Sequence, residues 1–269
     1  MIMILGFTLM SQIADRETLT MQSEAAIELI RKNDPNALSL VAENRDVYYF
    51  TKRFLDFVIA LVLLVLLSPL MLLIALSIKF YSPGPVFYIQ ERVGAKRQRR
   101  GNHSYWQKVT FRCYKFRTMR IGVDSSLHQA YMRALIENDQ AKMDELQGQE
   151  TKIRKLIRDP RITRPGKILR KLSLDELPQL WNVLRGDMSL VGPRPAIPYE
   201  VELYKPWYLR RLEAKPGLSG LQQVTARSTL DFDYQMRLDI EYIQNQSLWL
   251  DLKIILKTPL VVVATKGAQ

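Results

Sequence analysis

Apolar residues run almost without interruption from Phe54 to Phe80, FLDFVIALVLLVLLSPLMLLIALSIKF, with Asp56 and Lys79 the only charges. As one straight helix this run would be about 40 Å long, more than the roughly 30 Å hydrocarbon core of a bilayer. A tilted spanning helix is one reading. A re-entrant hairpin, entering and leaving by one face, is the other. Ser68-Pro69 sits near the middle of the run. Proline removes a backbone donor and crowds the preceding turn, which kinks a helix, and the Ser68 hydroxyl can satisfy a carbonyl so freed. Each leg is then about 15–20 Å long, too short to cross alone. Lys52 and Arg53 precede the run, and Lys79, Arg92, Lys96, Arg97, Arg99 and Arg100 follow it. Positive charge tends to stay on the cytoplasmic side, so a helix–break–helix hairpin satisfies both flanks and is the expectation.

The remaining pattern is mixed. Ser23 to Lys32 reads as a short helix ending before Asp34-Pro35. Ser82-Pro83-Gly84-Pro85 predicts a turn, and Val86 to Ile89 a short strand. A basic loop over Lys96 to Lys108 leads to a second short strand in VTFRCYKFRTM, and the two strands suit a small β-hairpin. Leu127, Tyr131, Leu135, Met143 and Leu146 recur at helical spacing, predicting one or two surface helices in an insertion over about 125–157. Further helices are expected from Ser173 to Leu184, Arg237 to Tyr242, and Leu248 to Val263, the last interrupted by Pro259. That last segment suits either a core helix or an amphipathic helix lying on a bilayer.

The chain has 269 residues, with 39 Lys and Arg against 27 Asp and Glu, a formal charge of +12. Such an excess favours polyanionic partners, whether nucleic acid, anionic lipid or phosphate-bearing substrates. Cys113 stands alone, which excludes an intrachain disulfide and a multi-cysteine zinc site. With only His103 and His128, any metal is expected to be a hard cation on oxygen ligands, such as Mg²⁺. Met1 to Met10 carries no basic residue before its apolar run and does not read as a signal peptide, so a cytoplasm-facing protein is expected.

The densest polar constellation is RKLSLDELPQLWNVLRGDMSLVGPRP, Arg170 to Pro195. Ser173, Asp175 and Glu176 match a capping box, in which Ser173 caps a helix and Glu176 reaches back. Arg158, Arg161, Arg164, Arg170, Lys171, Arg185 and Arg194 surround the carboxylates in sequence. Carboxylates at a helix start among so many cations suggest a phosphate or metal–phosphate site. There the cations would keep Asp175 ionised and able to attack phosphorus, while Asp175 and Glu176 hold Mg²⁺. No P-loop, dinucleotide fingerprint, HExxH or GxSxG pattern is present.

These residues give the chain a family resemblance. Lys52-Arg53 with the Ser68-Pro69 break, SPGPVFYIQERVG from Ser82, YKFRTM from Tyr114, and DPRITRPG from Asp159 come first. LSLDELPQLWNVLRGDMSLVGPRP from Leu172 and KPGLSGLQQVTAR from Lys215 follow in order. Together they resemble the monotopic polyprenyl-phosphate phosphoglycosyl transferases, the bacterial sugar transferases, from about Lys52 to Lys257. The resemblance implies attack by Asp175 on the sugar-bearing phosphorus of a UDP-sugar, release of UMP, and transfer of the phosphosugar to undecaprenyl phosphate. It implies Glu176 as an Mg²⁺ ligand or proton handler. Lys115, Arg170, Arg194 and Arg227 would contact phosphates, with Asp239 as a further acidic contributor. Ala226 stands where the family commonly has glycine, and Gln222 where tryptophan often follows; these departures bear on the sugar more than on the reaction.

Two rivals come from other classes. A nucleic-acid-binding protein explains the charge but gives the apolar run no place, so no nucleic acid is expected. A membrane-anchored basic adaptor explains both, but not the carboxylate pair among cations. The expected fold is mixed α/β, mainly helical. Residues 1–51 form an extension, 52–81 the re-entrant membrane helix and 82–269 a catalytic domain on the cytoplasmic face of the bacterial inner membrane. Exposed apolar helix faces suit membrane lipid or a homodimer.

Overall fold

The computed structural model describes residues 24–32, 34–41, 45–122, 126–147, 161–225 and 231–264. A short helix over 24–31 (α1) precedes strand β1, Ala37–Leu40, and the long apolar helix α2, Asp46–Tyr81. A hairpin follows, β2 Phe87–Arg100 and β3 His103–Phe116, and then helices α3 Ser126–Glu137 and α4 Gln140–Gln147. Helix α5, Arg164–Lys171, leads into a 3₁₀ turn, Leu174–Glu176, and α6, Gln179–Arg185. The chain continues through β4 Ser189–Val191, α7 Pro198–Glu202, a 3₁₀ segment Pro206–Leu212, β5 Gly217–Ser219 and α8 Leu221–Thr225. It closes with α9 Phe232–Gln244 and α10 Leu248–Val263. The fold is mainly helical with one small antiparallel sheet, as the patterning suggested.

The hairpin is longer than its apolar ends predicted. Its strands pair from Phe87↔Phe116 to Arg100↔His103, so the expected basic loop is itself ladder, closed at Gly101-Asn102. Backbone pairing tolerates alternating charged side chains on a solvated face, which hydrophobic periodicity cannot register. β1 adds to the outer side of β3 through Ala37↔Gln107 and Leu40↔Tyr105, giving the order β1-β3-β2. Strand β1 therefore brings part of the extension into the sheet, and Ile30, Ala37 and Tyr105 form a small core beneath it.

Helix α2 starts earlier than the apolar run and is continuous through Pro69. Pro69 has no N–H for the Val65 carbonyl four residues back, and Ser68 Oγ donates to that carbonyl at 2.8 Å. The expected local repair is present, while the pattern of helical residues shows no break. Only 11% of its most apolar window is buried, an exposed apolar surface that suits association with a membrane. Pro259 likewise lies inside α10 rather than interrupting it.

The principal core joins α2, α6, β3, β4, α9 and α10 around Ala60, Cys113, Leu180, Val183, Met188, Val191, Tyr242 and Ile254. Helices α3 and α4 are more than a surface insertion. Tyr131, Leu135 and Met143 pack with Tyr208, Phe232 and Met236 in a second core.

Candidate active site

Three side chains on one face of the hairpin begin the site. Arg92 on β2 and Cys113 and Lys115 on β3 line a narrow cleft, closed by Glu176, Gln179, Arg194, Pro195, Gly217, Leu218 and Gln223. Alternation along the strands explains the grouping: Gln90 pairs with Cys113 and Tyr88 with Lys115, so Tyr88, Gln90, Arg92, Cys113 and Lys115 share a face.

Asn182 fixes the helical side of the cleft. It is fully buried on α6, its Oδ1 accepts from Tyr114 N at 3.1 Å, and its Nδ2 donates to Arg112 O at 2.7 Å. β1 covers β3 only near Tyr105 and Gln107, so the Asn182 amide occupies the edge farther along, as a neighbouring strand would. This contact seats the preceding 3₁₀ turn over Lys115, whose Nζ donates to Glu176 Oε1 at 2.6 Å.

The capping box does not form. Ser173 adopts φ 55°, ψ 20°, the left-handed region that non-glycine residues rarely visit, and its side chain caps no helix. Leu174–Glu176 is a single 3₁₀ turn, and the α-helix begins only at Gln179. Glu176 faces Lys115 instead of its own backbone because an ammonium group in a half-buried cleft is the stronger partner. Backbone strain of this kind tends to gather at functional sites.

The two carboxyls are pushed apart electrostatically. Burial, then the charge of Glu176, raise the Asp175 carboxyl above its ordinary value despite Lys115, Arg170 and Arg194. Desolvation thus acts against the cations that were expected to favour the ionised form of Asp175. Burial acts on Glu176 in the same sense, but Lys115, Arg194 and Arg92 together outweigh it and hold its carboxyl at about 2. Glu176 lines the cleft; Asp175 is one residue away on the same turn and is not among the lining residues.

Of the other expected residues, Lys115 and Arg194 line the cleft, and Arg170, in the last turn of α5, acts electrostatically on Asp175. Arg227 and Arg158 lie outside the described residues. Asp239 is 1% exposed and receives Arg211 Nε at 2.9 Å and Nη2 at 2.7 Å; Arg211 Nη2 also donates to the Arg194 carbonyl at 2.9 Å. Asp239 therefore reaches the site through Arg211, by holding the Arg194 backbone. Arg117 is buried and donates to Ser82 O at 2.6 Å and Pro83 O at 2.8 Å, tying the turn after α2 to the hairpin. Sequence reasoning took Arg92 only as a flanking charge and missed Gln179 and Gln223. The available signal for Arg92 was its two-residue spacing from Gln90 on a strand.

Gly192 and Gly217 shape the remaining wall. A Cβ on Gly192 would lie 2.3 Å from Lys215 O, and one on Gly217 would lie 2.1 Å from Gly192 N. The parallel β4–β5 pair thus packs backbone on backbone, bringing the GPRP turn with Arg194 against Gly217. Both positions require glycine for this approach.

A donor set for a divalent ion is limited. Among the described residues no group of three or more His, Cys, Asp or Glu is placed to hold an ion. Asp175 and Glu176 supply two carboxylates on one turn, which suits Mg²⁺, an ion usually held by one or two carboxylates, substrate phosphates and water.

Comparison with known proteins gives a consistent assignment. The family model described as bacterial sugar transferase matches residues 47–265. The exopolysaccharide production protein ExoY of Sinorhizobium fredii is 40% identical over 218 residues, covering 81% of this chain and 88% of that protein. The undecaprenyl-phosphate galactose phosphotransferase of Salmonella typhimurium is 41% identical over 219 residues, 81% of this chain and 42% of that protein. The UDP-glucose:undecaprenyl-phosphate glucose-1-phosphate transferase of Caulobacter vibrioides is 40% identical over 225 residues, covering 81% and 71%. The extent of these matches, together with the family's motifs converging on one cationic cleft, makes the chain a member of the bacterial sugar transferase family.

Proposed function

We propose that the protein transfers a sugar-1-phosphate from a UDP-sugar to polyprenyl phosphate, typically undecaprenyl phosphate, releasing UMP and initiating a polysaccharide or glycoconjugate. The observation that carries this reading is the divided carboxylate pair beside a cleft lined by Arg92, Lys115 and Arg194. Neighbouring carboxyls with separated titration point to separate roles. Asp175, the more basic, is the better nucleophile once ionised. Glu176, fixed in charge by Lys115, is the poorer one.

An Asp175 oxygen attacks the sugar-bearing phosphorus; the bond from that phosphorus to the oxygen bridging to UMP breaks, and the electron pair leaves with UMP. A phosphate oxygen of the polyprenyl phosphate then attacks the aspartyl-bound phosphorus. The aspartyl O–P bond breaks, the carboxylate is restored, and the lipid carries a diphosphate-linked sugar. Arg194 and Lys115 hold phosphate oxygens and balance the charge of the incoming diphosphate. Asp175 and Glu176 would hold Mg²⁺, which when bound supplies charge withdrawal from the diphosphate leaving group.

The same reading places α2 as a re-entrant helix and the cleft on the cytoplasmic face of the inner membrane. Trp249, Leu252, Leu256, Leu260 and Val263 form an exposed stripe on α10, suited to lipid at the interface.

The test is UMP release from a panel of UDP-sugars with undecaprenyl phosphate and Mg²⁺. Wild type is expected to release UMP with at least one sugar, and Asp175→Asn to lose at least about 10³-fold in rate, on the order expected when a catalytic nucleophile is removed. Undiminished release by Asp175→Asn would exclude the covalent route, and no release with any sugar would favour the anchored-adaptor reading.

A further inference from the structure

Asp56 is the one acidic residue between Phe54 and Phe80, and its neighbours on α2, Leu55 and Phe57, are exposed. A carboxylate in so apolar a helix is costly, and membrane helices keep one there chiefly for function. Asp56 itself is only 5% exposed and is turned toward the body. Its Oδ1 accepts from Leu190 N at 3.0 Å. Leu190 lies in β4, a strand with only β5 beside it in its sheet. The apolar helix thus supplies to this strand what a further strand would.

A second link from α2 reaches the next residue of β4. Lys52 Nζ and Tyr48 Oη, both on α2, donate to Asp251 Oδ2 at 2.8 and 3.1 Å. Tyr242, on α9 and fully buried, places its hydroxyl 2.7 Å from Asp251 Oδ1 and 3.1 Å from Val191 O, one proton serving two acceptors. Two consecutive residues of β4 are therefore tied to the first leg of α2. Only Gly192 and Pro193 separate Val191 from Arg194 at the cleft. Gly192 packs backbone on backbone against Gly217, and the Pro193 carbonyl accepts from Gly217 N at 2.8 Å. Proline fixes φ and close packing transmits displacement, so a shift of β4 is carried into Arg194.

We propose that Asp56 and Tyr242 are positioning residues for the transfer reaction: by holding β4 they place Arg194 at the cleft, so that α2 completes the phosphate site as well as anchoring it. The assignment rests on the transferase reading above and adds to it the residues that set Arg194.

The test is a double-mutant cycle on full-length protein in nanodiscs. Asp56→Leu removes the acceptor at similar volume, whereas Asp56→Asn keeps an oxygen for Leu190 N. With the UDP-sugar that supports UMP release, Asp56→Leu is expected to lower kcat/KM about tenfold or more, the scale of one lost hydrogen bond to a charged group. Asp56→Asn should stay within about threefold of wild type. In an Arg194→Gln background Asp56→Leu should cost no more than about twofold, because the group it positions is already gone. Arg194 lowers the Asp175 carboxyl, so the acid limb of kcat should move to higher pH in Asp56→Leu and stay in place in Asp56→Asn. Equal losses in both backgrounds, an unmoved limb in Asp56→Leu, or Asp56→Asn as impaired as Asp56→Leu would overturn the assignment. If Asp56→Leu does not fold, Tyr242→Phe takes its place in the cycle, with the same directions expected. Hydrogen exchange separates this assignment from the transferase reading. Amides from Leu190 to Arg194 should exchange about tenfold faster in Asp56→Leu, or in Tyr242→Phe, than in wild type. That result supports the positioning role even if no UDP-sugar yields UMP. Unchanged exchange, or a rise confined to Leu190, overturns it even if UMP is released.

Discussion

Asp175 and Glu176 are adjacent, yet their carboxyls are displaced in opposite directions, one raised by burial and its neighbour's charge, the other held low by Lys115, Arg194 and Arg92. This has a consequence for the pH profile. Attack requires ionised Asp175, so activity falls as pH drops through the raised value. Arg194 lowers that value, so Arg194→Gln raises it further and moves the acid limb of kcat to higher pH. The same change should reduce kcat/KM by about 10- to 100-fold, as for a lost charge-assisted contact to phosphate. A pH–rate series on the two proteins checks the sign; a limb that moves toward acid would remove Asp175 from the field of Arg194. The residues of this pair were legible in sequence because the charges stand close together along the chain. Arg92 was not, because its place depends on strand register across the hairpin, and Ser173 was misread because a capping motif does not reveal a left-handed backbone.

Elements are joined at the cleft by one side chain more than by any propensity. Asn182 replaces a missing strand on the β3 edge and thereby sets where the 3₁₀ turn meets Lys115. Asn182→Leu leaves Tyr114 N–H and Arg112 C=O without that partner while filling a similar space. It should lower stability by about 2–4 kcal/mol, two buried backbone groups at roughly 1–2 kcal/mol each. Thermal unfolding in detergent is the measurement, and loss of activity should accompany it because Glu176 loses its seat. A variant as stable as wild type would mean that the β3 edge is satisfied without the amide. Sequence patterning found the hairpin ends, α9 and α10, where apolar spacing is clear. It missed the long charged ladder from Lys96 to Arg100, since a strand with a solvated face leaves the same signature as a basic loop.

At the scale of the whole molecule, the question is how one long apolar helix can hold a catalytic body at a bilayer. The N-terminal leg is fastened to that body by Lys52 to Asp251 at 2.8 Å, by Arg53 to the carbonyls of Val183 and Leu184, and by Asp56 Oδ1 accepting from Leu190 N. The C-terminal leg packs Ile74 and Ile78 on Phe116 and Leu169, and Arg117 grips the turn that follows. Between the legs, Val62, Val65, Leu66, Leu72 and Leu73 are exposed. Were α2 to cross the bilayer, the body touching both legs would be drawn into hydrocarbon with its charges, which is prohibitively unfavourable. The proposed re-entrant reading, with entry and exit by one face, would leave the exposed middle in lipid and the body in water. On that reading Val47 and Phe80, both highly exposed near opposite ends of α2, are expected on the same side. Cysteines placed singly at these positions, with buried Cys113 replaced by serine, should both react with a membrane-impermeant maleimide in inside-out vesicles. Neither should react in right-side-out vesicles. Labelling of Phe80→Cys from the outer side would establish a spanning helix and require the body to release one of its two grips, most directly the packing of Ile74 and Ile78.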